Sequence, residues 1–148
     1  MKRKDEHYKK LVQLIKSLLM SNTVTYPNEK NFDHADNRPY AEVLIYGNNG
    51  KKKRLFCLVD TGADDIQIHE DIATELDIDL NTEATVDTIE TASGGQSQVY
   101  TVPNIKMEVE GATINEDLIF GSNSIPLIGR RTILTAYEIG FKPTKWLF

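Results

Sequence analysis

The apolar run from Leu55 to Val59 ends on Asp60-Thr61-Gly62, and this junction limits what the chain can become. Leu55, Cys57 and Val59 alternate with Phe56 and Leu58, the pattern of a strand that delivers Asp60 at its end. Burying a carboxylate is costly unless it is paired or hydrogen-bonded. Asp60 therefore either initiates a turn or is placed for chemistry, and Gly62 lets the backbone turn tightly in both cases.

The surrounding pattern is that of an all-β protein with one or two short helices. The segments 40–47 and 53–60 flank Gly47-Asn48-Asn49-Gly50, a hairpin turn of residues that tolerate positive φ. Residues 69–78 carry Ile72, Ala73, Leu76 and Ile78 among acids, which predicts a short helix. Residues 84–111 predict two or more strands with Ser93-Gly94-Gly95-Gln96 at a hairpin tip, and 112–121 a further strand. The apolar segment from Ile125 passes through Gly129 into a helix, and 145–148 close the given sequence as a strand.

Ahead of these, Leu11, Leu14, Ile15, Leu18 and Leu19 recur at helical spacing between Lys9, Lys10, Gln13 and Lys16. An amphipathic helix over 5–20 must cover its apolar face with the main domain, a partner or an anionic membrane surface. The polar segment 21–39, with two prolines, reads as a linker or extended arm. The expected division is thus 1–37 for helix and arm and 38–148 for the folded domain.

At 148 residues the chain has room for one domain with a core. Its net charge of -5 argues against a general nucleic-acid binder, and Lys51 to Arg54 read as a solvated hairpin end. No apolar stretch reaches the roughly 18 residues that span a bilayer, and the charged N-terminal segment is a poor signal peptide. A cytoplasmic location is the default expectation. Cys57, the single cysteine, excludes an intrachain disulfide and reads as a small buried hydrophobe.

Most site chemistries fail on residue type or spacing. Cys57 is mid-strand and His7, His34 and His69 share no motif, so neither a Cys–His nucleophile nor a zinc site is assembled. The acids after Asp60 miss the calcium-loop positions, with Gly62 third and Asp65 sixth. Gly94-Gly95 lack the lysine and helix of a phosphate loop. No metal or cofactor is expected. Carboxylate chemistry remains: two facing carboxylates share a proton, so one can activate water while the other protonates a carbonyl.

"LVDTGADD" at 58–65 resembles the active-site signature of the retropepsin-like aspartic proteases, and "LIGRRTIL" at 127–134 their second signature. "TASGGQSQVY" lies between them where that family places its flap, while "NRPY" and "WLF" resemble the arm and terminal strand of the viral enzymes. The similarity covers about 38–148 and implies an acid-protease barrel. It implies that Asp60 is the catalytic aspartate, that Thr61 braces a dyad, and that Gly62 contacts substrate backbone. Ala63, Asp64 and Asp65 would line subsites, with Arg130 pairing Asp64. Ser93, Gly94 and Gly95 would form the flap tip, and Ile128 and Gly129 would support the catalytic loop.

One Asp-Thr-Gly per chain implies a homodimer acting on an extended polypeptide, with an inert monomer. A non-catalytic dimerisation or peptide-binding module is the alternative reading, since fold does not fix function. A third is a zymogen-like form in which 1–37 block dimerisation or the cleft.

Overall fold

The computed structural model describes residues 12–13, 25–90 and 94–148. Of the helix expected over 5–20, only Val12 and Gln13 are among them, both helical; the rest of that segment lies outside the described residues.

The protein is an all-β fold built on a seven-stranded sheet. Strands β2 (Tyr40–Tyr46) and β3 (Lys52–Asp60) form the expected hairpin, with Tyr46 opposite Lys52 and Tyr40 opposite Leu58. Ala41, Val43 and Ile45 alternate inward and are fully buried, as are Cys57 and, nearly, Val59. After β4 (Ile66–His69) come two short helices, α1 (Asp71–Glu75) and α2 (Leu80–Glu83), then β5 (Thr85–Glu90), β6 (Gln96–Val109) and β7 (Ala112–Gly121). β8 (Leu127–Gly129) leads directly into α3 (Arg130–Ala136). The strand order is β2-β3-β8-β4-β7-β6-β5, and an extra pairing of β2 with β6 closes the sheet on itself. Closure encloses a core in which Ile45, Ile66, Met107, Leu118, Phe120 and Ile128 are fully buried, and leaves β5 as an edge strand. β5 pairs only with β6, and all six of its residues are exposed.

The few helices that accompany the strands are short, as expected: three α-helices and a 3-10 turn at Asn48–Gly50 among the described residues. The helix expected over 69–78 stops at Glu75 because Asp77 takes φ 56, a left-handed conformation that ends a helical run. A new helix then starts on its own cap. Asp79 accepts from Asn81 N at 3.0 Å, and Glu83 accepts from Asp79 N at 2.9 Å. The region after the Gly-Gly tip is one long strand, with a register shift between Val102 and Ile105 where Pro103 cannot donate and Asn104 has φ 56.

A second sheet has the order β1-β10-β9, with β1 (Glu29–Asn31), β9 (Gly140–Lys142) and β10 (Lys145–Leu147). The polar segment 21–39 therefore contains a strand. Three residues give no periodicity, and their pairing with β10 joins parts of the chain more than a hundred positions apart. Trp146 is fully buried there and stacks on Phe148 at 4.4 Å between ring centroids, while Tyr137 meets Phe148 edge-on. Trp146 is the one tryptophan in the sequence, which makes it a reporter of folding. No helix among the described residues is long and apolar enough to cross a membrane.

Cys57 sits at the centre of β3 with no exposed surface, and burial pushes its thiol up to about 12. The thiolate is the reactive form. At pH 8 a thiol reagent should modify native protein only through unfolding, and label at once in denaturant; rapid native labelling would contradict the packing.

Candidate active site

The loop from Asp60 to Asp65 leaves the end of β3, and its shape is dictated by what lies behind it. β3 runs parallel to β8, pairing Leu58 with Leu127, Val59 with Ile128 and Asp60 with Gly129. Asp60 Oδ1 accepts from Gly62 N at 2.9 Å, and Ala63 N donates to Asp60 O at 3.2 Å. Asp60 thus initiates a turn, and in doing so the turn fixes the orientation of its carboxylate. Oδ2 accepts from no group among the described residues. Asp60 is half-buried, whereas Thr61 and Gly62 are exposed.

Helix α3 pins the rest of the loop. The first N–H groups of a helix have no partner within it. Here Gly129 N donates to Asp65 O at 3.1 Å, Arg130 N to Ala63 O at 3.0 Å and Arg131 N to Asp64 O at 2.8 Å. Approach this close requires glycine at 129, because a Cβ there would lie 2.4 Å from the Asp64 carbonyl carbon. Ile128, one residue before Gly129, pairs with Val59 and is fully buried.

Side chains repeat the same connection. Arg130 Nε donates to Asp64 Oδ1 at 2.9 Å, and its Nη2 lies 2.8 Å from the same oxygen. Arg131 forms a fork on Asp65, with Nε 2.8 Å from Oδ1 and Nη2 3.0 Å from Oδ2. No Lys or Arg occurs between Arg54 and Lys106, so the cations facing these aspartates come from the later helix. Both arginines are largely exposed, so each pair is worth at most about 1 kcal/mol and acts mainly by setting direction.

Sequence reasoning had no role for Arg131 or Thr132. The doubled arginine at 130–131 matching the doubled aspartate at 64–65 was the available signal for the first. Thr132 is 1% exposed, and its Oγ1 accepts from Ile66 N at 3.0 Å where β4 begins. Thr132→Val keeps the shape and leaves that N–H unpaired in the interior. It should cost about 1–3 kcal/mol, read by urea unfolding with Trp146 emission. Unchanged stability would mean that Ile66 N finds another acceptor.

Hairpin β5–β6 brings Glu90 opposite Gln96, with Gly94 at φ 80, a conformation that favours glycine. Gly94 and Gly95 are exposed. Ser93 lies outside the described residues. The hairpin base rests on the turn after β7: Ser97 Oγ is 3.4 Å from Ser122 Oγ, and Val99 Cγ1 lies 3.4 Å from where a Gly121 Cβ would stand. Asn123 Nδ2 in turn donates to Gln67 Oε1 at 2.9 Å, and Gln67 faces Leu127 of β8. These contacts tie the hairpin base through β4 and β8 to the strand beside Asp60. Among the described residues no group of three or more His, Cys, Asp or Glu is placed to hold a metal ion.

The chain as described carries one such loop, with one aspartate whose carboxylate is oriented and has a free oxygen. A single carboxylate of this kind is a weak catalyst; two facing ones form an acid–base pair. A search of curated proteins returned no match. The family model described as "gag-polyprotein putative aspartyl protease" matches residues 48–129, from the β2–β3 turn to the glycine beneath the loop.

Proposed function

Because the chain belongs to the retropepsin-like aspartyl protease family, we propose that it is an aspartic endopeptidase whose active site is completed by a second copy of itself. The observation that carries this reading is the Asp60 turn, with Oδ1 bound to Gly62 N and Oδ2 free, held against the start of α3. Two such turns related by a two-fold axis place two carboxylates face to face. Like charges that close cannot both ionise, so the pair shares one proton.

In this reading, the ionised Asp60 takes a proton from water as the water oxygen attacks the scissile carbonyl carbon. The protonated Asp60 of the partner gives its proton to the carbonyl oxygen. As the tetrahedral gem-diol collapses, one hydroxyl returns its proton to the partner's ionised Asp60 and re-forms a carbonyl. The C–N bond breaks, and the leaving nitrogen takes the proton that Asp60 had drawn from water, which restores the one-proton pair. No metal or cofactor enters these steps. Thr61 steadies the pair across the axis, and Gly62 meets the substrate backbone. Ala63, Asp64 and Asp65 border the subsites, and Ser93, Gly94 and Gly95 cover an extended peptide from above. Ile128, Gly129 and Arg130 hold the loop in place. Residues 38–148 form the protease domain and 1–37 the preceding helix and arm.

Cleavage of an unfolded-polypeptide or peptide library, followed across protein concentration, tests the proposal. Activity per chain should rise with concentration until dimers saturate. Peptide binding without cleavage at any pH would identify a binding module instead.

A further inference from the structure

A cleft of about 440 Å³ lies beside β1 and the last residues of β3 before the loop just described, and Lys30, Asp33, Ala35, Asp36, Tyr40 and Phe56 line it. Phe56 is 57% exposed, although it stands mid-strand on a closed sheet. Lys30 lies 5.8 Å from the centre of its ring, but the charge of Lys30 is already taken by Glu110 at 2.5 Å. Asp33 and Asp36 hold only local turns and the Tyr40 hydroxyl, with Ala35 N donating to Asp33 at 2.7 Å and Tyr40 Oη to Asp36 at 2.5 Å. Neither forms an ion pair among the described residues. The cleft thus presents a bare aromatic ring beside two unneutralised carboxylates. Its natural occupant is apolar on one side and cationic on the other.

Such a segment lies next to it in the chain. Residues 1–24 carry six Lys or Arg against two Asp or Glu, a net charge of +4, whereas 25–148 carry 11 against 20, a net charge of -9. Leu11, Leu14, Ile15, Leu18 and Leu19 share the helical spacing already noted, with Lys9, Lys10 and Lys16 between them. The chain is anchored from Tyr26, whose hydroxyl donates to Ile139 O, through β1 to Lys30 in the cleft wall. Residues 20–26 span about 20 Å when extended, a length that allows folding back along β1. We propose that residues 5–20 dock into this cleft of their own chain, Leu14 and Leu18 against Phe56 and Tyr40, with the lysines facing Asp33 and Asp36. Side chains two apart on a strand share a face, so the docked segment covers the face of β3 that continues through Leu58 to Asp60. The inference does not depend on the proposed activity.

Zero-length carbodiimide cross-linking of the full chain tests it, using a mixture of nitrogen-15-labelled and unlabelled protein at low salt. Cross-links from Lys9, Lys10 or Lys16 to Asp33 or Asp36 should form within single chains. Their yield should fall about tenfold or more in Leu14→Asp/Leu18→Asp and in Phe56→Ser, and fall in wild type at high salt. Trp146 emission reports that both variants stay folded. The proposal is overturned if no such cross-links form, or if they join labelled to unlabelled chains, which would make a second copy the occupant. It is equally overturned if both variants cross-link as well as wild type, since tethering alone would then explain the contact.

Discussion

Asp60→Asn should lower peptide-bond cleavage by about four orders of magnitude or more while leaving the fold and the dimer intact. The amide keeps the shape of the side chain, and its Oδ1 can still accept from Gly62 N, so the turn persists. What is lost is the ionisable oxygen. An amide can neither take a proton from water nor hand one to a carbonyl, and in a symmetric dimer the substitution removes both members of the pair. The check is cleavage of a single defined peptide alongside sedimentation and Trp146 emission. Loss of cleavage with unchanged sedimentation is the expected result. Cleavage at the wild-type rate would remove Asp60 from the mechanism, and loss of the dimer would leave its role purely structural.

Gly129→Ala carries the second largest expected effect, and here it is on stability. The added methyl would meet the Asp64 carbonyl carbon at 2.4 Å, its oxygen at 2.5 Å and Asp65 N at 2.6 Å. All three are backbone atoms, so no rotamer change relieves the contact, and the loop must move away from α3. The shift strains the three hydrogen bonds from Gly129, Arg130 and Arg131 N to the loop carbonyls. A loss of about 3 kcal/mol or more is expected. Urea unfolding measures it, and any folded fraction should cleave peptide poorly because Asp60 is adjacent to the displaced segment. A change below about 0.5 kcal/mol, the usual range for a surface substitution, would show that the loop is not pinned there.

The parts of this fold that were legible in the sequence are those whose signals are local. Alternation marked β2 and β3, and Gly47 to Gly50 marked the turn between them. The helix at Asp71–Glu75 and the strand at Ala112–Gly121 announced themselves in the same way. What escaped depended on distant partners or on a single backbone angle. β1 is a strand only because β10 lies alongside it. The break at Asp77 and the irregularity near Asn104 each turn on a positive φ at a non-glycine residue, which propensity does not announce.

The candidate site divides along the same line. The motif around Asp60 is contiguous and could be read directly. The ladder of contacts from α3 joins positions some 66 residues apart. Resemblance supplied Arg130 for that ladder, whereas Arg131 and Thr132 needed the folded geometry. Exposed Phe56 broke no pattern in the sequence, since an aromatic residue in a strand reads as ordinary core.

The central claim is that two chains make one active site, and mixing tests it most directly. Wild-type protein at fixed concentration is combined with Asp60→Asn protein and allowed to exchange subunits. Mixed dimers hold one carboxylate and should be inactive, so at equal amounts random pairing lowers the activity per wild-type chain to about half, and a larger excess lowers it further. Activity that stays proportional to wild-type chain alone, after exchange has been demonstrated by sedimentation of labelled subunits, would contradict the account.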